Sequence, residues 1–177
     1  MPRFILLVFI TLLALPLPGT AAQTAPDIAF QKQVAADTRA FTLLRGNLKR
    51  ASDFARSRPD LFNPGKEKKN ALLAREDKLA VWNTWISLLD SVAGLDQLRR
   101  EHRRFDLFQE AERKNASFAL ANAAFLAGYR HALEFIALAD KNPALDTVLN
   151  EAVPELGIPA GTFNRFKFRF LNVAIAS

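Results

Sequence analysis

The chain is 177 residues long, 50% hydrophobic and 24% charged, with a formal net charge of +6 and no cysteine. A chain of this length fits one domain able to bury a core without help from metals or disulfides, and the lack of cysteine excludes thiol nucleophiles, thiolate zinc sites and disulfide redox chemistry. The basic balance could favour anionic partners such as peptidoglycan strands or lipid head groups, although a mild positive excess is also common on proteins with no such partner.

Ala, Leu, Arg, Lys and Glu abound and β-formers are scarce outside the apolar runs. The fold class expected is therefore all-α, a bundle of about five helices after a cleaved signal peptide. The first three residues, MPR, form a short positive segment, and Phe4 to Leu15 an apolar one. Pro16, Pro18 and Gly19 break that run before Thr20-Ala21-Ala22, a small-residue cleavage site. Residues 1–22 read as a signal peptide cut before Gln23. Residues 23–177 read as a single helical domain, periplasmic or secreted. No Cys follows the leader, which excludes a lipoprotein anchor, and export argues against nucleic acid as a partner.

Asp27 is placed to cap a first helix running to about Arg58, with Phe30, Val34, Phe41, Leu44, Leu48 and Ala51 or Phe54 on one face. Arg58–Lys69, with two prolines and a glycine, reads as a loop whose Leu61 and Phe62 tuck against the core. Asn70 is the expected cap of a second helix through about Arg104. Its stripe is Leu72, Leu79, Trp82, Ile86, Leu89 and Ala93, widened by Trp85, Leu88, Val92 and Leu95. Two tryptophans one turn apart could stack on a ligand, but a large piece of core is the favoured reading. Gly94 would permit a close helix crossing.

A turn is expected near Phe105–Arg113, with Asn115 as the cap of a central helix through Ala139. Phe118, Ala121, Phe125, Tyr129, Ala132, Ile136 and Ala139 recur there at helical spacing. The run from Ala116 would cover roughly 36 Å, enough to cross a bilayer. Arg130, His131 and Glu134 near its middle would be costly in lipid, so a buried core helix with one polar edge is favoured. Asn142-Pro143 starts a short helix to about Asn150, Val153–Gly161 is a loop, and Thr162 caps the last segment. Arg165 to Phe170 alternates with strand period, while Phe163, Phe166, Phe170 and Val173 fit a helix, which the all-helical context favours. The apolar run before Ser177 carries no stop signal, so the chain reads as free-standing or as the N-terminal part of a longer protein.

Candidate chemistry is sparse. His131 and Glu134, three apart on one helix face, could offer two ligands to a metal, but one pair is not a site. His102 lies among arginines, a poor place for a cation. Asp90, Arg130, His131 and Glu134 form a candidate polar core cluster, favoured as a device fixing helix register over a catalytic one. No Ser-His-Asp order, phosphate loop or HExxH occurs, so no catalytic residue, metal ligand set or cofactor is expected and the chain reads as a non-enzyme. Arg165, Lys167 and Arg169, interleaved with Phe, could contact an anionic surface, making a lipid-binding module the alternative. A docked helix with snorkelling cations is the favoured reading.

VLNEAVPELGIPAGTFNRFKFRFLNVA (Val148–Ala174), with the upstream FALANAAFLAGYRHALEFIALA, resembles the helical N-terminal region ahead of the catalytic domain in exported lysostaphin-like zinc peptidoglycan endopeptidases. The resemblance covers roughly residues 40–177. The zinc site of that family implies an His-x-x-x-Asp and an His-x-His, and this chain has neither, so nothing catalytic carries over. It implies an accessory or regulatory domain of cell-wall metabolism that acts through contacts with a protein partner in the envelope.

Overall fold

The computed structural model describes residues 25–106 and 111–175, with side chains placed for 28–101, 119 and 122–168. The leader reading and part of the turn expected near Phe105–Arg113 lie outside the described residues. Among the described residues six α-helices follow one another: α1 (Ala25–Ser57), α2 (Pro59–Phe62), α3 (Arg75–Asp106), α4 (Ala111–Ala139), α5 (Pro143–Asn150) and α6 (Thr162–Ile175). Single 3₁₀ turns stand at Lys66–Lys68 and Pro154–Leu156. Among the described residues there is no strand, only an isolated bridge between Val153 and Ile158. The fold is all-α.

Three long helices, α1, α3 and α4, pack mutually, and the most extensive interface lies between α1 and α4. Gly128 explains how closely they meet. A Cβ there would stand 2.5 Å from a Leu95 methyl and 2.9 Å from a Leu48 methyl, so any side chain would force these two leucines to repack. Ala124, Ala132 and Ala139, all buried, continue that thin edge along α4. Gly94 plays a lesser part on α3, where a Cβ would touch Leu44 at 3.0 Å.

The core phase of α3 differs from the expected stripe. Val81, Trp85, Leu88, Ser91 and Leu95 are buried, whereas Trp82, Ile86, Leu89 and Val92 lie half-buried on its flank. Trp85 sits at the centre. It stacks on Phe135 at 6.2 Å and meets Phe163 and Phe166 edge-on at 5.2 and 5.0 Å. Aromatic pairs in such offset and T-shaped arrangements add to the area they bury. α6 thereby joins the bundle through its Phe face, and the segment that alternated with strand period is helical.

Four expected caps are corrected. Asp27 lies inside α1, which begins at Ala25, and Thr162 is the first residue of α6, its hydroxyl bonded to the Pro159 carbonyl and Arg165 rather than to a first-turn N–H. Asn115 lies inside α4, which begins four residues earlier. Asn70 does not start α3 either: Ala71–Ala74 is irregular chain and the helix begins at Arg75, where Glu76 and Asp77 in the first turn suit the positive end of the helix dipole. Asn142 caps α5 as expected. Its Oδ1 accepts the Ala144 N–H at 3.1 Å, and its Nδ2 donates to the Leu61 carbonyl at 2.7 Å. One buried amide thus starts α5 and ties down α2, whose Leu61 and Phe62 are buried as expected.

Candidate functional site

The polar cluster expected in the core is not assembled. Asp90 on α3 and Arg130 on α4 are exposed and form no ion pair with each other. Helical geometry turns these positions outward once Trp85, Leu88, Ala132 and Phe135 occupy the inward face. His131 and Glu134, half-buried, instead face α1. His131 Nδ1 lies 3.2 Å from Ser52 Oγ, and the Glu134 carboxylate receives both the Nε and Nη2 of Arg56. The hydrogen bond to Glu134 raises the Arg56 pKa above its ordinary value, so the guanidinium stays charged. With one carboxylate committed to Arg56, the two residues do not converge on a cation. Among the described residues no group of three or more His, Cys, Asp or Glu is placed to hold a metal ion. These contacts link α4 to α1. Ser52 and Arg56 were not singled out in the sequence, although Arg56 follows Ser52 by four and so shares its face.

The basic residues of α6 also divide. Lys167 is 18% exposed and bridges Asp140 at 2.7 Å and Asp146 at 2.8 Å, with its ammonium 4.5 Å from the Phe163 ring centre. Burial alone would depress its pKa, but the hydrogen bonds to the two carboxylates outweigh that and leave it raised. This cation is consumed within the fold, snorkelling from the docked helix. Arg165 is exposed and reaches Thr162 Oγ1 at 3.1 Å. The side chains of Arg169 and of His102 lie outside those described. No helix among the described residues is long and apolar enough to cross a membrane.

A different feature stands out at the start of α3. Leu72 is 97% exposed, and Leu79 and Leu156 are exposed as well. Two hollows meet here at Leu73 and Lys78. One, of about 700 Å³, runs between Leu79 and Trp82 of α3 and the Val153–Leu156 loop. The other, of about 270 Å³, lies toward Pro143, Ala144 and Val148 of α5. Trp82 donates its indole N–H to the Val148 carbonyl at 3.0 Å, which fixes the ring as a wall. Lys78 reaches Glu151 at 3.3 Å across the hollow, while Arg75 and Glu155 on the rim have no ion-pair partner among the described residues.

The chain between the hollows is itself unusual. Ala71 N–H bonds back to the Lys68 carbonyl, and Ala74 carbonyl accepts from Lys78. The N–H groups of Leu72, Leu73 and Ala74, and the carbonyls of Leu72 and Leu73, make no hydrogen bond within the described residues. Backbone groups left this way are open to pairing with another chain. The sequence hid this stretch because Ala-Leu-Leu-Ala carries strong helix propensity and was read as the first turn of α3.

No family model matches this chain, and no curated protein or solved structure matches it either.

Proposed function

We propose that the chain is a non-catalytic module of the cell envelope, an accessory or regulatory domain of peptidoglycan metabolism that works by holding an extended segment of a partner protein along Ala71–Ala74. The observation that carries this is the unpaired backbone of Leu72–Ala74 flanked by two apolar hollows. An added strand takes its affinity from main-chain hydrogen bonds and its specificity from pockets that accept alternate side chains. The rim offers Arg75 and Glu155 as opposite charges that would orient that segment. The leader pattern supplies the export, and the resemblance of Val148–Ala174 supplies the cell-wall setting.

A photo-crosslinking residue placed at exposed Leu79, beside this segment, is expected to give a discrete adduct with a peptidoglycan synthase or hydrolase in intact cells, and one placed at exposed Leu43 on α1 is not. Leu72→Pro deletes a backbone donor that the fold itself does not use, so it should abolish the adduct with the melting temperature unchanged. Equal adducts at both positions, or release of fragments from purified sacculi by the chain alone, would sink the reading.

One observation favours a second reading, contact with an anionic lipid surface. Phe168 is 73% exposed and stands one turn from exposed Arg165. That version requires co-sedimentation with anionic vesicles that weakens as salt rises, and its absence at low salt removes it.

A further inference from the structure

A cleft of about 320 Å³ runs between α1 and α3 and shares only Asn83 with the hollow beside Trp82. Its size falls at the lower end of small-molecule sites, roughly 300 to 1,000 Å³. Asn47 of α1 and Asn83, Ser87, Asp90 and Ser91 of α3 line it, and Leu44 and Ile86 supply the apolar part. The close approach of Gly94 to Leu44 brings the two helices together one turn beyond Ser91.

The polar groups are not spent on the fold. Asn83, Ser87 and Asp90 have no side-chain hydrogen bond or ion pair among the described residues, and all three are exposed. Ser91 adds a fourth group: it is 1% exposed as a residue, lines the cleft, and its hydroxyl bonds to no other described side chain or carbonyl, so it faces the cleft opening rather than the sealed core. Asn47 accepts from Arg50 through Oδ1, which leaves its amide N–H groups available.

The donor set decides between ligand classes. An apolar ligand would strip water from five polar residues and give nothing back. Phosphate would meet the Asp90 carboxylate, with Arg50 reaching no further than the edge through Asn47. A metal ion would find one carboxylate where hard cations take six or more oxygen ligands. A sugar ring fits each part. Its neighbouring hydroxyls both donate and accept, as do amides and serine hydroxyls, and a carboxylate accepts from two of them at once. Its C–H face suits Leu44 and Ile86. We propose that the α1–α3 cleft is a saccharide-binding site, with Asp90, Ser87 and Ser91 as the principal hydrogen-bonding groups and Leu44 and Ile86 as the platform.

The test is an amide-resolved NMR titration of the full chain with a β-1,4-linked N-acetylglucosamine trisaccharide and, separately, with maltotriose. Shifts centred on Asn47, Ser87, Asp90 and Ser91, saturating with a Kd of millimolar order or tighter, are the expected result. Asp90→Ala and Ser87→Ala change exposed residues and should leave the melting temperature where it is. Asp90→Ala should weaken binding by about tenfold, the equivalent of one charge-assisted hydrogen bond, and Ser87→Ala by about fivefold, that of a neutral one. Absence of shifts with either sugar at about 20 mM, well above the weakest affinity a shallow site supports, overturns the proposal. So do shifts confined to other residues, or full affinity in both variants.

Discussion

Two tryptophans three residues apart on α3 have opposite fates. Trp85 is wholly buried, ringed by Phe135, Phe163 and Phe166, and its indole N–H has no acceptor. Trp82 is half-buried, and its N–H is satisfied by the Val148 carbonyl while its ring walls an open hollow. The first is held by shape alone, the second by a bond that orients it. The difference separates a sealed bundle of α1, α3 and α4 from a flank, built by the start of α3, α5 and the Val153–Leu156 loop, that is ordered yet left open.

Replacing Trp85 should therefore give the largest effect in the molecule. Trp85→Ala removes the hub of four aromatic rings, and truncations of this kind cost about 3–5 kcal/mol. Urea denaturation followed by circular dichroism would read it as a large fall in midpoint. A cost under about 1 kcal/mol, the range of exposed sites, would mean that the centre is not sealed. Asn142→Ala should come next, at about 2 kcal/mol, because it removes an N-cap and also orphans the buried Leu61 carbonyl. Its effect should fall on α2 and α5 together, visible as joint loss of amide-exchange protection in both.

The legibility of these two regions differs for a physical reason. The sealed part was readable because burial imposes a period: Phe41, Leu48, Phe125, Ala132 and Ile136 stand where helical spacing put them. Even there the phase of α3 slipped, since apolar letters on the flank of a helix count the same as those on its inner face. Asp90 and Arg130 were misplaced for the related reason that a charge amid apolar residues can point either way. The open flank was hardly readable at all. Ala71–Ala74 has the composition of a helix start, yet it runs irregular between the Lys66–Lys68 turn and the acidic first turn of α3. The partners of Lys167, Asp140 and Asp146, lie more than twenty residues upstream, where sequence spacing says nothing.

Lys167 joins the two regions, since it ties α6 to the turn after α4 and to α5. Its partners are 47% and 37% exposed, so solvent screening limits its worth, and Lys167→Met should cost only about 1 kcal/mol. The pH dependence identifies it. A lysine whose folded pKa is raised above the ordinary 10.5 contributes fully below that value. It loses the contribution as pH climbs through the raised value. The wild type and Lys167→Met should thus differ by a constant amount from neutral pH to about pH 10 and converge above it. A gap that persists unchanged into stronger alkali would assign the effect to packing on Phe163 rather than to charge.

The smallest expected change in stability belongs to the most exposed residue of the open flank. Leu72 buries almost nothing, so Leu72→Ser should shift folding by no more than about 0.5 kcal/mol, the usual range for a surface site. Leu72→Pro should do the same, because the N–H it deletes bonds to nothing in the described chain. The pair separates two ways in which the segment could hold a partner. If the side chain filling a partner's hollow dominates, Leu72→Ser loses the crosslinked complex and Leu72→Pro loses it equally. If backbone pairing dominates, Leu72→Ser weakens the complex only in part while Leu72→Pro abolishes it, and that second pattern is the one expected. An apolar leucine held in water beside unpaired backbone costs the isolated chain nothing to mutate. A selective loss of binding there, with folding intact, is what distinguishes an open docking edge from an unfinished piece of core.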